Sequence, residues 1–395
     1  MKVTAIRGYL AEMWRPIVLY GLLFGLLGAL LFMRLGTLLP GYSGTEVATY
    51  QASVSLQHIF ENPLNAPFAL AVNGLAHLSD HSYLLARIVA TLFGLAMLVV
   101  FCRLLLRWYN SRTAILGTIL FGTSAWFLHV ARLGVPEVLL LCLLLLVACS
   151  VWLKQTGSPI ALLLVFATAS LLLYVPGMIW LIFAGVVWQW KTIDRVFKHH
   201  LLLVTVGGIV VLAAMAPLGL AIFHDLTVAK VLIGLSAEGW PAPLAILRNL
   251  ADVPVSIFAH AEYNPERWLG TLPVLDVFAS AMFALGGFVY YRHFGLVRSK
   301  LVAFILVIGS ALIALGGSVT ITILLPFIYI LVAVGLSYAW DQWVAVFPRN
   351  PIAQAAGIGL IAVTVFMACS YQMRSYFLAW PRNPDTQAVF TTPEP

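Results

Sequence analysis

The chain has 395 residues, of which 62% are hydrophobic and only 9% charged, against roughly a quarter charged in soluble domains. With a mean hydropathy of +0.98, this composition excludes a water-soluble enzyme, a nucleic-acid module, a disulfide scaffold and a disordered chain. An all-α polytopic membrane protein remains, and its net charge of +7 is first a question of which cations face which side.

A crossing helix takes about 20 mostly apolar residues. Eleven stretches qualify: 16–39, 82–106, 113–130, 135–153, 159–174, 176–190, 201–222, 273–291, 301–316, 320–340 and 353–371. The first follows a short basic stretch and is too long for a signal core, so it is expected to stay as a transmembrane helix. The fifth and sixth are short and meet at the turn signal Tyr174-Val175-Pro176-Gly177. Read as a kink, that turn would leave ten spans. No short-period repeat stands out, and no inverted pair of broken helices. Cys102, Cys142, Cys149 and Cys369 lie in apolar stretches without metal or disulfide spacing.

Lys and Arg favour cytoplasmic loops. With eleven spans and the N-terminus inside, 14 of the 22 basic residues fall in inner loops, Lys2, Arg103, Arg195, Arg298 and Arg349 among them. Twelve of the 15 acids fall outside or near outer helix ends. Ten spans would put Arg292, Arg298 and Lys300 outside, so eleven is the expectation, with a cytoplasmic N-terminus and an outer C-terminus. The basic balance then reflects topology, and a nucleic-acid partner is not needed.

The whole chain, 1–395, reads as one transmembrane domain with two long outer segments, 40–81 and 223–272, and an outer tail, 373–395. In the first segment, Thr45 to Phe60 is expected to form an amphipathic helix that Glu61-Asn62-Pro63 ends. Pro67 opens a second helix through Leu78, and both would lie in the membrane surface plane. Glu46 sits in the first turn, either as a cap at the positive dipole end or as a functional acid. His77, Asp80 and His81 have no specific ligand spacing and read as solvated turn residues.

Arg34 ends the first span as a snorkelling anchor. Arg87 lies inside the second span, where a guanidinium needs an anion, from a lipid headgroup or a lipid-phosphate substrate. Pro136 and Glu137 make a good start for the fourth span. Glu137 either compensates the dipole, pairs with Arg132, or faces a water-filled cavity. In the second outer segment, His260-Ala261-Glu262-Tyr263-Asn264-Pro265-Glu266-Arg267-Trp268 is a polar run with aromatic flanks. Acid plus aromatic suits a sugar, and equally suits an interface belt.

Taken in order, these features resemble the GT-C superfamily of integral-membrane glycosyltransferases. The features are the acid after the first span, the interfacial helices, Arg87, and Arg132 five residues before Glu137. The nearest groups are the protein O-mannosyltransferases and lipid A aminoarabinose transferases. Asn264 to Asp276, with its Pro273-Val274-Leu275-Asp276 end, resembles that family's loop-to-helix entry. Leu325-Pro326-Phe327-Ile328-Tyr329 resembles its late helix. The resemblance implies a polyprenyl-phosphate sugar donor, an acceptor hydroxyl, and inversion at the anomeric carbon on the outer face. It makes Glu46 the candidate base and Glu137 the second catalytic acid. Arg87, Arg132 and Arg267 would bind the donor phosphate, and His260, Glu262 and Tyr263 the substrate. No cofactor is implied, and a divalent metal is not demanded because a clamped lipid phosphate already leaves well. Many relatives carry Asp-Glu where this chain has Thr45-Glu46. The short tail favours a lipid-linked glycan or another small acceptor, and membrane lipids are the expected surroundings. A bacterial or archaeal plasma membrane fits the compact loops. Two rivals stand beside this reading. A polyprenyl-glycan flippase would line a path with polar residues, yet spans three, five, nine and eleven carry almost none. A non-catalytic scaffold would respond to Glu46→Gln only in stability.

Overall fold

The computed structural model describes residues 3–78 and 82–394. Lys2, Asp80 and His81, which enter the sequence reading, lie outside the described residues. In chain order the helices are α1 (Val3–Phe32), α2 (Gly44–Val54), α3 (Leu56–Glu61), α4 (Ala66–Ala76), α5 (Leu84–Trp108), α6 (Ser111–Thr123) and α7 (Ala125–Arg132). A 3₁₀ stretch, Pro136–Cys142, leads into α8 (Leu143–Thr156). There follow α9 (Pro159–Leu172), α10 (Met178–Trp188), α11 (Trp190–His199), α12 (Leu201–His224), α13 (Leu226–Leu232) and α14 (Pro243–Phe258). The last third holds α15 (Val277–Arg292), α16 (Val297–Ala314), a 3₁₀ turn (Ile321–Ile323), α17 (Leu325–Val346) and α18 (Pro351–Arg374). A π turn (Ser375–Ala379), α19 (Trp380–Arg382) and α20 (Pro384–Val389) complete the chain.

The described residues are helical with only isolated bridges between extended pairs, and the chain is a polytopic membrane protein. Each of the eleven apolar stretches falls mainly on helix, the third on both α6 and α7 and the fourth on the 3₁₀ stretch and α8. Among the described residues, six helical stretches are long and apolar enough to cross a membrane, two of them composite (Pro136–Thr156 and Pro351–Arg382), or seven if the bent pair α6–α7 is one span. The apolar part of α1, with α9, α10 and α15, is shorter.

Local chemistry sets the breaks. The stretch from Thr45 to Phe60 is two helices, because Ser55 adopts extended backbone and its hydroxyl caps the His58 amide of α3. The third apolar stretch is likewise broken at Ser124, with a bend of 65°. Ser124 ends α6, and its Oγ accepts from Phe127 N to start α7. Gly177 holds a φ of 76° at the head of α10, a conformation that glycine alone reaches without strain. The second long segment carries two helices of its own, α13 and α14, joined and followed by non-helical stretches.

The core forms where α5, α6, α7 and α17 meet. Phe121 packs its ring against Phe101, Phe127 and Tyr329, at centroid distances of 4.7, 4.7 and 5.4 Å, all four rings being buried. α15 and α17 touch backbone to backbone: a Cβ on Gly286 would strike the Leu331 carbonyl, and one on Gly335 the Met282 carbonyl. By contrast, α12 and α18 keep most of their apolar side chains exposed, as helices in lipid do.

The segments 40–81 and 223–272 and the tail meet at one end of the bundle. Thr45 donates to Glu266, Tyr263 to Asp385 and Ser82 to Glu394. Tyr42 and Thr392 pair through their backbones, with N···O distances of 2.8 and 3.2 Å.

Candidate functional site

That end of the bundle holds a cavity of about 730 Å³. α7 supplies Trp126, His129 and Val130, the connector behind it Leu133, and the first turn of the 3₁₀ stretch Glu137. α14 contributes Arg248, Asn249, Asp252 and Ser256, and the non-helical segment between α14 and α15 contributes His260, Glu262, Asn264, Arg267 and Trp268. The end of α16 and the turn after it, through Thr320, close the far side.

Glu137 is the best-connected group on this wall. Its Oε1 accepts from the hydroxyls of Thr320, at 2.5 Å, and Thr322, at 2.7 Å. Its Oε2 accepts from Arg267 Nη1 at 2.9 Å. The pair is one-sided in exposure: the Arg267 side chain is 37% exposed and that of Glu137 only 10%. Arg267 therefore keeps open N–H groups toward the cavity, whereas the carboxylate is fixed by three donors. Pro136 starts this helix without an N–H to satisfy, which puts Glu137 at its first turn. Arg267 is brought across from a segment 130 residues later.

Glu46 is elsewhere. It is 1% exposed and does not line the cavity. Arg87 grips it at both oxygens, Nε to Oε1 and Nη2 to Oε2, each at 2.7 Å. The Gly134 amide donates to Oε1 at 2.8 Å and the Ser43 amide to Oε2 at 3.2 Å. The last contact completes a capping box at the head of α2. Arg87 is held on all sides: it also donates to the carbonyls of Leu35 and Gly41 and lies over the Tyr42 ring, 4.2 Å from its centroid. Glu46 thus ties the first segment to the connector 133–135, immediately ahead of Glu137. Burial and the hydrogen bond with Glu394 push the neighbouring Tyr42 phenol upward.

Arg132 is buried and also off the cavity. It donates to the Met33 carbonyl at 2.6 Å and lies against the rings of Tyr376 and Phe377, at 5.1 and 4.8 Å. The two residues joined by the Arg132-to-Glu137 spacing are not an ion pair: Glu137 takes Arg267 instead. Tyr263 faces the tail, where its hydroxyl donates to Asp385 and raises its own phenol pKa. The structure therefore gathers Glu137, Arg267, His260 and Glu262 around the cavity, and sets Glu46, Arg87, Arg132 and Tyr263 outside it.

From the sequence Arg248 is an outer cation and Asp252 an acid of the second outer segment, neither assigned to the site, and Asn249 and Ser256 carry no assignment. Their three- and four-residue spacing is the signal of one polar helical face. Pro243 opens α14 and Pro254 lies inside it, which makes the stretch read as loop. Trp126 and His129 share a face of α7 by the same rule. The indole N–H groups of Trp126 and Trp268 are engaged by Thr322 Oγ1 and the Leu272 carbonyl. Both side chains line the cavity, with ring centroids 4.6 Å apart.

Three carboxylates, two guanidinium groups and a paired indole wall surround one space at the end of a membrane bundle. Such a site can hold an anion beside a polyhydroxylated ring and take up a proton. Compared with protein-family models the chain matches none, and no curated protein matches it.

Proposed function

We propose that the chain is a membrane glycosyltransferase of the GT-C kind. In this reading it crosses the membrane eleven times and moves a sugar from a polyprenyl-phosphate donor to an acceptor hydroxyl, with inversion. The cavity would face the outside of a bacterial or archaeal plasma membrane, with the N-terminus cytoplasmic and a lipid-linked glycan or another small hydroxyl compound as acceptor. The observation that carries this reading is the Glu137–Arg267 pair set into a cavity that also holds Asp252, Glu262, Arg248 and the Trp126–Trp268 wall.

The chemistry needs three things. The leaving phosphate must be neutralised, and Arg267 and Arg248 are the guanidinium groups that reach the cavity. The sugar must be held, and indole faces with nearby carboxylates suit its C–H face and its hydroxyls. The acceptor hydroxyl must lose a proton as its oxygen attacks the anomeric carbon and the bond to the phosphate oxygen breaks. A base must lie within hydrogen-bond reach of that proton. Glu46, buried and saturated, does not meet this condition, so its part here is to position the connector before Glu137. Asp252 lines the cavity from a helix and has no hydrogen bond to another side chain among the described residues, which makes it the better candidate base.

The test is sugar transfer by the purified full chain in lipid, from a panel of radiolabelled polyprenyl-phosphate sugars, with membrane extract as acceptor source. Asp252→Asn and Glu137→Gln are each expected to cut turnover by about 10²-fold or more. Turnover that survives both would remove the cavity from the mechanism. No transfer from any donor would count against the activity itself.

A further inference from the structure

A second site lies at the opposite end of α16. The large cavity meets the C-terminal end of this 18-residue helix, about 27 Å from its start at 1.5 Å per residue. At that start, the ends of α5 and α15 and the first turn of α16 enclose a notch of about 90 Å³. It is lined by Tyr109, Val289, Tyr290, His293, Arg298 and Ser299 and has room for several waters.

The notch has surplus donors and no acid. Arg298 spends one N–H: Nη1 donates to the Trp108 carbonyl at 2.6 Å. Its guanidinium lies over the Tyr109 ring, 4.6 Å from the centroid, so the fork is held in place. None of the ion pairs among the described residues involves Arg298. The hydroxyls of Tyr109 and Tyr290 share one hydrogen bond of 2.5 Å. Two hydroxyls bring two protons, and one is spent between them, which leaves an O–H to donate from a pair in which Tyr290 is 7% exposed. His293 Nδ1 faces the Val289 carbonyl at 2.9 Å; a carbonyl only accepts, so the proton sits on Nδ1.

A cation of this kind at the end of α5 also favours that helix dipole. Dipole compensation uses the charge and the one bond to Trp108, and it leaves the second tyrosine proton and the rest of the guanidinium fork unused. A ligand that offers only acceptors and carries negative charge uses both. Phosphate oxygens meet that description. The residues next in sequence to this lining include Tyr291, Phe294, Leu296 and Val297, all exposed, and the exposed cations Arg292 and Lys300. Such a setting suits a headgroup whose chains run down the apolar helices.

We propose that this notch binds the phosphate group of an anionic membrane lipid, at the membrane face opposite the large cavity. The site is independent of the glycosyltransferase reading.

The test is a thermal titration of the detergent-purified full chain with dioleoyl phosphatidylglycerol and, separately, with inorganic phosphate. The lipid is expected to raise the midpoint temperature saturably. Arg298→Gln should raise the half-saturating concentration about tenfold, the loss of one charge-assisted hydrogen bond. Tyr290→Phe, which keeps the ring and is the milder change for folding, should raise it several-fold. Saturable stabilisation by inorganic phosphate that both variants weaken would also support a phosphate site, with free phosphate as its source. No saturable shift with either probe, or shifts that both variants leave unchanged, would overturn the proposal.

Discussion

Two acids in this chain look alike as letters and differ as groups. Glu46 and Glu137 each sit in the first turn of a helix, and each binds an arginine. Glu46 is buried with Arg87, whose side chain is 2% exposed. Removing one charge of such a pair strands the other in a low-dielectric interior, typically at 3–5 kcal/mol. Glu46→Gln should therefore lower the thermal midpoint sharply, and the double variant Glu46→Gln, Arg87→Met should recover part of the loss. A double variant no better than the single one would mean that the carboxylate matters for something besides Arg87. Glu137 shares its charge with an arginine that is more than a third exposed, so solvent screens the pair and its net worth is about 0–1 kcal/mol. Glu137→Gln should thus leave the midpoint nearly unchanged while it affects turnover. Sequence position showed both acids at helix starts, because capping is local. It did not show which one is sealed, because burial depends on Arg87 arriving from 41 residues away and Arg267 from 130. For the same reason Tyr263 read as part of the site: it neighbours Glu262 in sequence, but points to α20.

At the scale of elements, hydropathy locates the apolar helices. Turn residues mark the joint at Tyr174 to Gly177 between α9 and α10, but the joint at Ser124 carries no such signal. Apolar runs report burial in lipid or core, and a bend such as Ser124 leaves the run unbroken. α14 was lost for the opposite reason, since a helix that lines a polar cavity carries Arg248 and Asp252 on its face and has no long apolar run to find. Glycines mark the tightest joint. Gly286 of α15 and Gly335 of α17 meet carbonyls of the facing helix, while Gly287, one residue on, has nothing within 4 Å of a would-be Cβ. Gly286→Ala and Gly335→Ala must push the helices apart, with overpacking costs of about 1–3 kcal/mol. Gly287→Ala, in open space on the same helix, should be neutral or should stabilise by up to about 1 kcal/mol. Thermal midpoints of the three variants in one detergent decide this. Equal loss at Gly286 and Gly287 would place the cost in helix α15 itself and not in its contact with α17.

At the scale of the whole molecule, the tail does what no single loop can. It contacts the first segment through the Tyr42–Thr392 pair, and the residue that leads into α5 through Ser82–Glu394. It contacts the second through Tyr263–Asp385 and through Trp380, whose Nε1 donates to the Pro265 carbonyl at 3.0 Å. Trp380 is fully buried and its ring meets those of His129, Tyr376 and Phe390. His129 is itself part of the cavity wall. The cavity thus borrows its rigidity from a strap joined to both long segments, because the stretch between α14 and α15 has no helix of its own to hold His260, Glu262 and Arg267 in place. Trp380→Ala removes the centre of that strap, a change that typically costs 3–5 kcal/mol. Amide hydrogen exchange should rise in 259–276 and around Tyr42 together, and remain unchanged in α5 and α17. Tyr263→Phe cuts one exposed hydrogen bond and should raise exchange only slightly, and only near 263. If Trp380→Ala loosened the tail alone and left 259–276 protected, the segment would be holding itself, and the strap would be a passenger on the site.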